Sequence, residues 1–373
     1  APWIYIGLLS TVFVFLIYKI GELLYGKNFG LLVSAIVALS PSQIGNSTVL
    51  LNPNLVPFYA ALSILFFLKL IEKNRSNYWS FFFGIFLGIG INHHYQMVGL
   101  MILPILLLLY KPKKYRYFLY CILGVFITFI PLIIFDMNNH WYTFKNMLYY
   151  YTEGRKAIYV PNRWLFYIRD FWPQFWSYTL GVNVVVGVIT ILLTFAAVFF
   201  SMIKKKMGIT MAFLLAAFLF NFILLRFYWG VRGYSYLQFL SPFIFLITAF
   251  GLWNIRKIKF GQYLFWLSIT ILLFLMTVKS MQGLGQGGFE EEIRREAALI
   301  TNAYPNEKIV FYTCKESYLI RARTMPFLLK NLKVLDKTGK PIGYREGKCL
   351  LPKNKLVIEE KHDATTAAYL LEK

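Results

Sequence analysis

Carboxylates are scarce through most of this sequence. Residues 1–278 hold only Glu22, Glu72, Asp136, Glu153 and Asp170, whereas the other twelve of the seventeen acids lie in 279–373. With 58% hydrophobic and 19% aromatic residues and a mean hydropathy of +0.55, hydrocarbon is the expected solvent for most of the chain. The charge pattern divides it into a membrane domain, 1–278, and a soluble tail, 279–373.

Cysteine is also sparse. Cys121, Cys314 and Cys349 make no Cys-x-x-Cys spacing, so nothing supports zinc. Cys121 falls in an apolar run and reads as a small core residue. Cys314 and Cys349 share the tail, and their pairing stays open, to be decided by compartment. A Gly-rich phosphate loop is missing as well: the Gly283–Gly288 stretch has no strand before it and reads as a hinge. A membrane enzyme without a nucleotide pocket must take its activated group from the lipid phase. The net charge of +22 does not indicate nucleic acid, because the basic residues sit in short gaps between apolar runs rather than on a soluble surface. Membrane lipids with anionic headgroups are the expected partner.

What is present is a succession of apolar segments. A hydrocarbon core of about 30 Å needs about twenty helical residues, and about ten spans are predicted, near 3–24, 30–46, 54–72, 80–92, 97–110, 115–135, 179–201, 207–228, 233–253 and 260–278. The stretch 80–110 counts as two passes broken at Asn92–Gln96. Only then do the gaps holding Lys27, Lys73 with Arg75, Lys111 to Arg116, Lys204 to Lys206, and Arg256 to Lys259 fall on one side, the cytoplasmic one. The opposite side receives the longer connections, among them an outer loop at about 136–178, and the tail. In the tail, 289–300 shows helical spacing, and 308–312 and 331–335 read as strands, giving a small extracytoplasmic α/β domain.

Asp136, Glu153 and Asp170 are the span-region acids expected on the outer side. Each is a candidate base or metal-holding carboxylate, and each has a plainer reading as a helix cap or as a partner of Arg155 or Arg169. His93 and His94 lie at the predicted outer break, where polar groups at a membrane edge either contact substrate or close a turn. Arg232 heads a span from the outer side and fits either a lipid phosphate or a headgroup contact. Arg163 belongs to a basic outer segment mixed with tyrosines and tryptophans, which suits an interfacial belt or a sugar-stacking surface.

The run Gly30–Pro41, followed by Asn46–Pro57, resembles a segment of the membrane glycosyltransferases related to protein O-mannosyltransferases and the lipid A aminoarabinose transferase, a glycosyltransferase family 39-like group. Tyr78-Trp79 with Gly84, Gly88 and His93-His94, then Phe135-Asp136 with Asn139-His140, and then Tyr234–Gly251 continue the same order of features. The resemblance spans roughly 3–280. It implies a GT-C fold, all-α and polytopic, a polyprenyl-phosphate-sugar donor, and hexosyl or pentosyl transfer to a lipid, glycan or protein acceptor at the outer face of a bacterial plasma membrane. Divalent cation dependence varies among such enzymes and stays open, and the sequence defines no metal site. The family's principal aspartate lies ahead of the segment matching 3–24. Since the chain opens Ala1-Pro2-Trp3, without methionine or a charged leader, it is expected to begin partway through a longer protein, with that acid outside it. Asn52 and Asn54 stand where several relatives carry an acid; an amide binds hydroxyls but is no base. A transporter or flippase and a noncatalytic membrane scaffold are the alternatives, the former weakened by the lack of a second internal copy.

Overall fold

The computed structural model describes residues 2–48, 51–72, 76–154, 164–204, 207–227, 233–257, 260–283 and four strands between 308 and 372. It divides into two compact units, Ala1–Gly283 and Leu284–Lys373.

In the first unit all described regular structure is helical: α1 Pro2–Tyr25, α2 Lys27–Ala38, α3 Pro41–Asn46, α4 Asn52–Glu72, α5 Asn77–His93, α6 Ile102–Tyr110, α7 Tyr115–Asn138, α8 Tyr142–Tyr149, α9 Trp172–Leu180, α10 Val184–Ile203, α11 Ile209–Arg226, α12 Ser241–Ile255 and α13 Gly261–Gly283. Short 3₁₀ segments, Tyr95–Met101 and Tyr234–Leu240, lead into α6 and α12. Seven described helical stretches are long and apolar enough to cross a membrane, and the chain is a multi-pass integral membrane protein. The sequence predicts about ten. The difference lies in helices that stop early: the run expected at 30–46 ends as a helix at Ala38, because Ser40 accepts the Gln43 N–H as an N-cap and Pro41 restarts the chain as α3. The stretch Tyr95–Tyr110 is likewise a shorter apolar piece, and α5 has 17 residues. The outer loop expected at 136–178 contains α8 and α9 as well as π-helical turns.

The spans differ in their surroundings. That of α12 with its 3₁₀ lead is 89% buried, and Phe243 through Ile247 are fully enclosed, so a segment apolar all round forms the centre. That of α7 is only 11% buried and exposes Leu119, Leu123, Phe126 and Ile134, a face suited to lipid.

Helices α5 and α7 run parallel and close together. Ser80 Oγ donates to the Tyr117 carbonyl near their starts, and Asn92 Nδ2 donates to the Thr128 carbonyl (3.2 Å) further along. A Cβ added to Gly84 would strike the Cys121 backbone, and one on Gly124 would strike the Phe81 carbonyl, so small residues let the backbones touch.

The described contacts gather the basic connections at one end. Lys111 Nζ donates to the carbonyls of Leu70 and Ile71 (2.9 and 2.7 Å), which places the end of α6 beside the end of α4. Since α5 starts five residues after α4 ends, 77–110 goes out and returns, reversing at His94. Phe213 meets both Phe67 and Tyr110, the Gly208 N–H donates to Tyr25, and Lys204 shares a hollow with Asn254 and Lys257. We call this the basic end.

In the second unit, β1 Lys308–Thr313, β2 Leu332–Leu335, β3 Leu356–Glu359 and β4 Ala367–Glu372 form one sheet ordered β2-β1-β4-β3. The β1–β2 pair is parallel and the others antiparallel. The helix expected at 289–300, Cys314 and Cys349 lie outside the described residues.

Candidate functional site

At the end opposite the basic one, several elements bring polar side chains together. Helix α3 is pinned by Ser40 and Ser42, whose hydroxyls donate to the Thr179 carbonyl near the end of α9 (2.8 and 3.0 Å). That end is closed by Gly181 at φ 70°, a left-handed position that glycine adopts without strain, and any Cβ there would also strike Pro41. So anchored, α3 presents Gln43, whose Nε2 donates to Gln238 Oε1 at 3.3 Å. The fully buried Gln238 also receives the Ser241 hydroxyl (2.8 Å), and the Tyr178 hydroxyl bonds both Gln238 and Asn46. Burial pushes the Tyr178 phenol up, with those two bonds acting against it, so it stays a neutral hydroxyl. Tyr234 lies against Phe171, Phe175 and Tyr178, and its hydroxyl donates to Gln174 Oε1.

The same 3₁₀ segment joins this network to the histidine break. His94, extended at φ −154° and ψ 113°, stacks on Tyr236 with centroids 5.0 Å apart, and His93 stacks on Tyr59 at 5.2 Å. Burial pushes the His94 imidazole down and favours its neutral form. Asn54 Nδ2 donates to the Asn46 carbonyl (3.2 Å), tying the start of α4 to α3, and Asn52 is exposed at that start.

Three buried atoms here have no hydrogen-bond partner: His94 Nδ1, Gln96 Oε1 and Asn221 Oδ1. Gln96 and Gly99 are i, i+3 on a 3₁₀ turn and so share a face, and Gly99 is the residue that Asn221 packs on, its Nδ2 donating to the Gly99 carbonyl at 3.1 Å. Buried polar groups normally find partners, and each unmade bond costs about 1–3 kcal/mol. Amide and imidazole groups with free capacity at a hydrocarbon edge can bind hydroxyls or phosphate oxygens.

The outer acids are arranged otherwise. Asp136 Oδ1 accepts the Thr143 N–H and Oδ2 the Phe144 N–H, both at 2.9 Å, so the carboxylate caps the first turn of α8. It also borders an apolar hollow of about 350 Å³ shared with Tyr95 and Ile91, near the histidine break. Asp170 pairs with Arg169 at 3.0 Å, and Glu153 lies in a π-helical turn. Arg163 and Arg232 lie outside the described residues. Among the described residues, no three His, Cys, Asp or Glu side chains come together as a metal site. Sequence reasoning did not single out Gln43, Asn46, Tyr178 or Gln238. The repeated amides and serines between Ser40 and Asn54, dense for an apolar chain, signal the first two, and nothing in the sequence singles out Tyr178 or Gln238.

A helical, multi-pass bundle with an amide- and imidazole-rich cluster at one end and its basic connections at the other defines an integral membrane protein. The particular kind follows from comparison: residues 4–135 match the family model described as dolichyl-phosphate-mannose-protein mannosyltransferase, and this match supports the GT-C membrane glycosyltransferase superfamily. Asn46, Asn52, Asn54, His93, His94 and Gln96 all lie within the matched stretch. No curated protein and no solved structure matches the chain.

Proposed function

We propose that this protein transfers a hexosyl or pentosyl unit from a polyprenyl-phosphate donor to a lipid, glycan or protein acceptor at the outer face of a bacterial plasma membrane. The supporting observation is the cluster of imidazole and amide groups with unmade hydrogen bonds, inside a stretch that matches a mannosyltransferase family. A lipid-linked sugar presents its phosphate and hydroxyls at the hydrocarbon edge, where partly buried polar groups can replace the water those atoms lose. His94, Asn46 and Gln96 are assigned to sugar hydroxyls, and His93, Asn52 and Asn54 border them. Arg232, immediately before the segment bearing Tyr234 and Gln238, is assigned to the donor phosphate, with Arg163 as a second cation. Of the outer acids, Asp136 caps α8 and Asp170 pairs with Arg169, so neither is assigned as the base.

With the basic end cytoplasmic by the positive-inside rule, an extracytoplasmic 279–373 tail is supported by Ser280, near the end of α13, whose Oγ donates to the Leu39 carbonyl at the cluster's end. The test is transfer from a panel of radiolabelled polyprenyl-phosphate sugars in membranes bearing the protein. Transfer with at least one donor, lost in Asn46→Ala and His94→Ala, is expected. A folded protein inert toward every donor overturns the proposal.

A further inference from the structure

The cluster above leaves unused a second built hollow at the basic end. It encloses about 620 Å³ between the start of α5 and the start of α7, and its walls include Ser76, Tyr78, Lys113, Lys114, Arg116 and Tyr120. Unlike a hollow of similar size that lies against α1 and α2 and is walled mainly by apolar side chains, this one is lined by cations and hydroxyls.

Three features concentrate positive charge there. Helices α5 and α7 are parallel and locked by the Gly84–Cys121 contact, so their N-termini, each carrying a partial positive charge, open side by side. The N-cap of α5, Ser76, makes no side-chain cap bond, so its first-turn N–H groups receive no hydroxyl from that residue. Lys113, Lys114 and Arg116 carry no ion pair among the described residues, whereas the neighbouring Lys111 is committed to the Leu70 and Ile71 carbonyls. Burial together with the charge of Lys114 pushes the Lys111 ammonium down, a sign of that crowding. Among the described residues, no carboxylate lines the hollow. Like charges held together without a counter-charge repel, and a bound anion relieves this most effectively when N–H, hydroxyl and guanidinium donors converge on it.

We propose that this hollow binds a phosphate-bearing anion, either the headgroup of an anionic lipid or free phosphate, at the end of the bundle opposite the glycosyl-transfer site. Tyrosines around a cationic pocket at the membrane edge suit a lipid phosphate, the rings contacting the glycerol and upper acyl region. The site does not depend on the transfer reaction.

The test uses native mass spectrometry of the detergent-solubilised protein titrated with dihexanoyl phosphatidylglycerol in one arm and inorganic phosphate in the other. Each is repeated on Lys114→Gln/Arg116→Gln and on Lys27→Gln/Lys204→Gln, which removes the same charge elsewhere at the same end. The expected result is saturable binding that weakens about tenfold or more in the first double variant and is unchanged in the second. Retention of phosphatidylglycerol but not phosphate identifies a headgroup site; equal occupancy by phosphate at the same concentration identifies a free-anion site. Absence of saturable binding in both arms, or equal loss in the two double variants while circular dichroism shows both folded, overturns the proposal.

Discussion

The histidine break and the Asp136 turn stand close together and make opposite use of polar groups. Asp136 has both oxygens filled by the backbone of the helix it caps, while His94 and Gln96 hold buried polar atoms with no partner. Scarcity in the sequence draws attention to the acids, because a carboxylate in an apolar chain is costly and must be accounted for. Geometry accounts for Asp136 by capping and for Asp170 by Arg169. The groups whose cost is not yet offset are amides and an imidazole, and unfilled capacity is what a ligand completes.

The sharpest way to break this contrast is to exchange the two positions in an activity assay. His94→Ala is expected to lower transfer about a hundredfold, the scale for removing one positioned polar group from a reacting site, while leaving thermal unfolding nearly unchanged. Asp136→Asn keeps one acceptor and loses the other; it is expected to lower the melting temperature and to leave transfer within about twofold of wild type, read in the same membranes. A reversal of the two phenotypes would return the chemistry to the acid.

A second variant separates recognition from packing. Gln238 is fully buried and joins Gln43, Ser241 and Tyr178. Gln238→Leu removes the hub and leaves those partners short of a bond, so an expected loss of about 1–3 kcal/mol in denaturant unfolding should accompany reduced transfer. Unchanged stability would mean that the network is not formed in the membrane.

The smallest expected effect concerns pH. His94 has its pKa lowered by burial, so below the ordinary value of about 6.5 the unfolded chain takes up a proton that the folded one resists. The stability associated with the neutral ring is complete above that value and declines as pH falls toward the lowered one. His94→Gln is expected to flatten the slope just below about pH 6.5, measured as melting temperature against pH. An unaltered slope would place the titration elsewhere.

Much of the bundle is legible from the sequence because hydrocarbon imposes long apolar runs and charge marks their ends. Two passes through 80–110 follow from the basic gaps, and Lys111 at the end of α4 shows the physical return. The continuous span expected over 30–46 is not present, since Ser40-Pro41 is a cap and restart that hydropathy averages away. The histidine break is visible as polar residues between apolar runs. Its partners are not, because Gln43 meets Gln238 and Asn46 meets Tyr178 across long sequence separations, and an amide in an apolar run does not announce which distant amide it will face.

The central claim is that the working face lies at the His94–Gln238 end of the bundle. Its most direct test is photocrosslinking with a diazirine-bearing polyprenyl-phosphate sugar, the labelled peptides then mapped by mass spectrometry. Label is expected on 41–54, 93–101 and 233–241, competed away by unlabelled donor. Specific label confined to 111–120 and the other basic connections, with none at the histidine break, would contradict it.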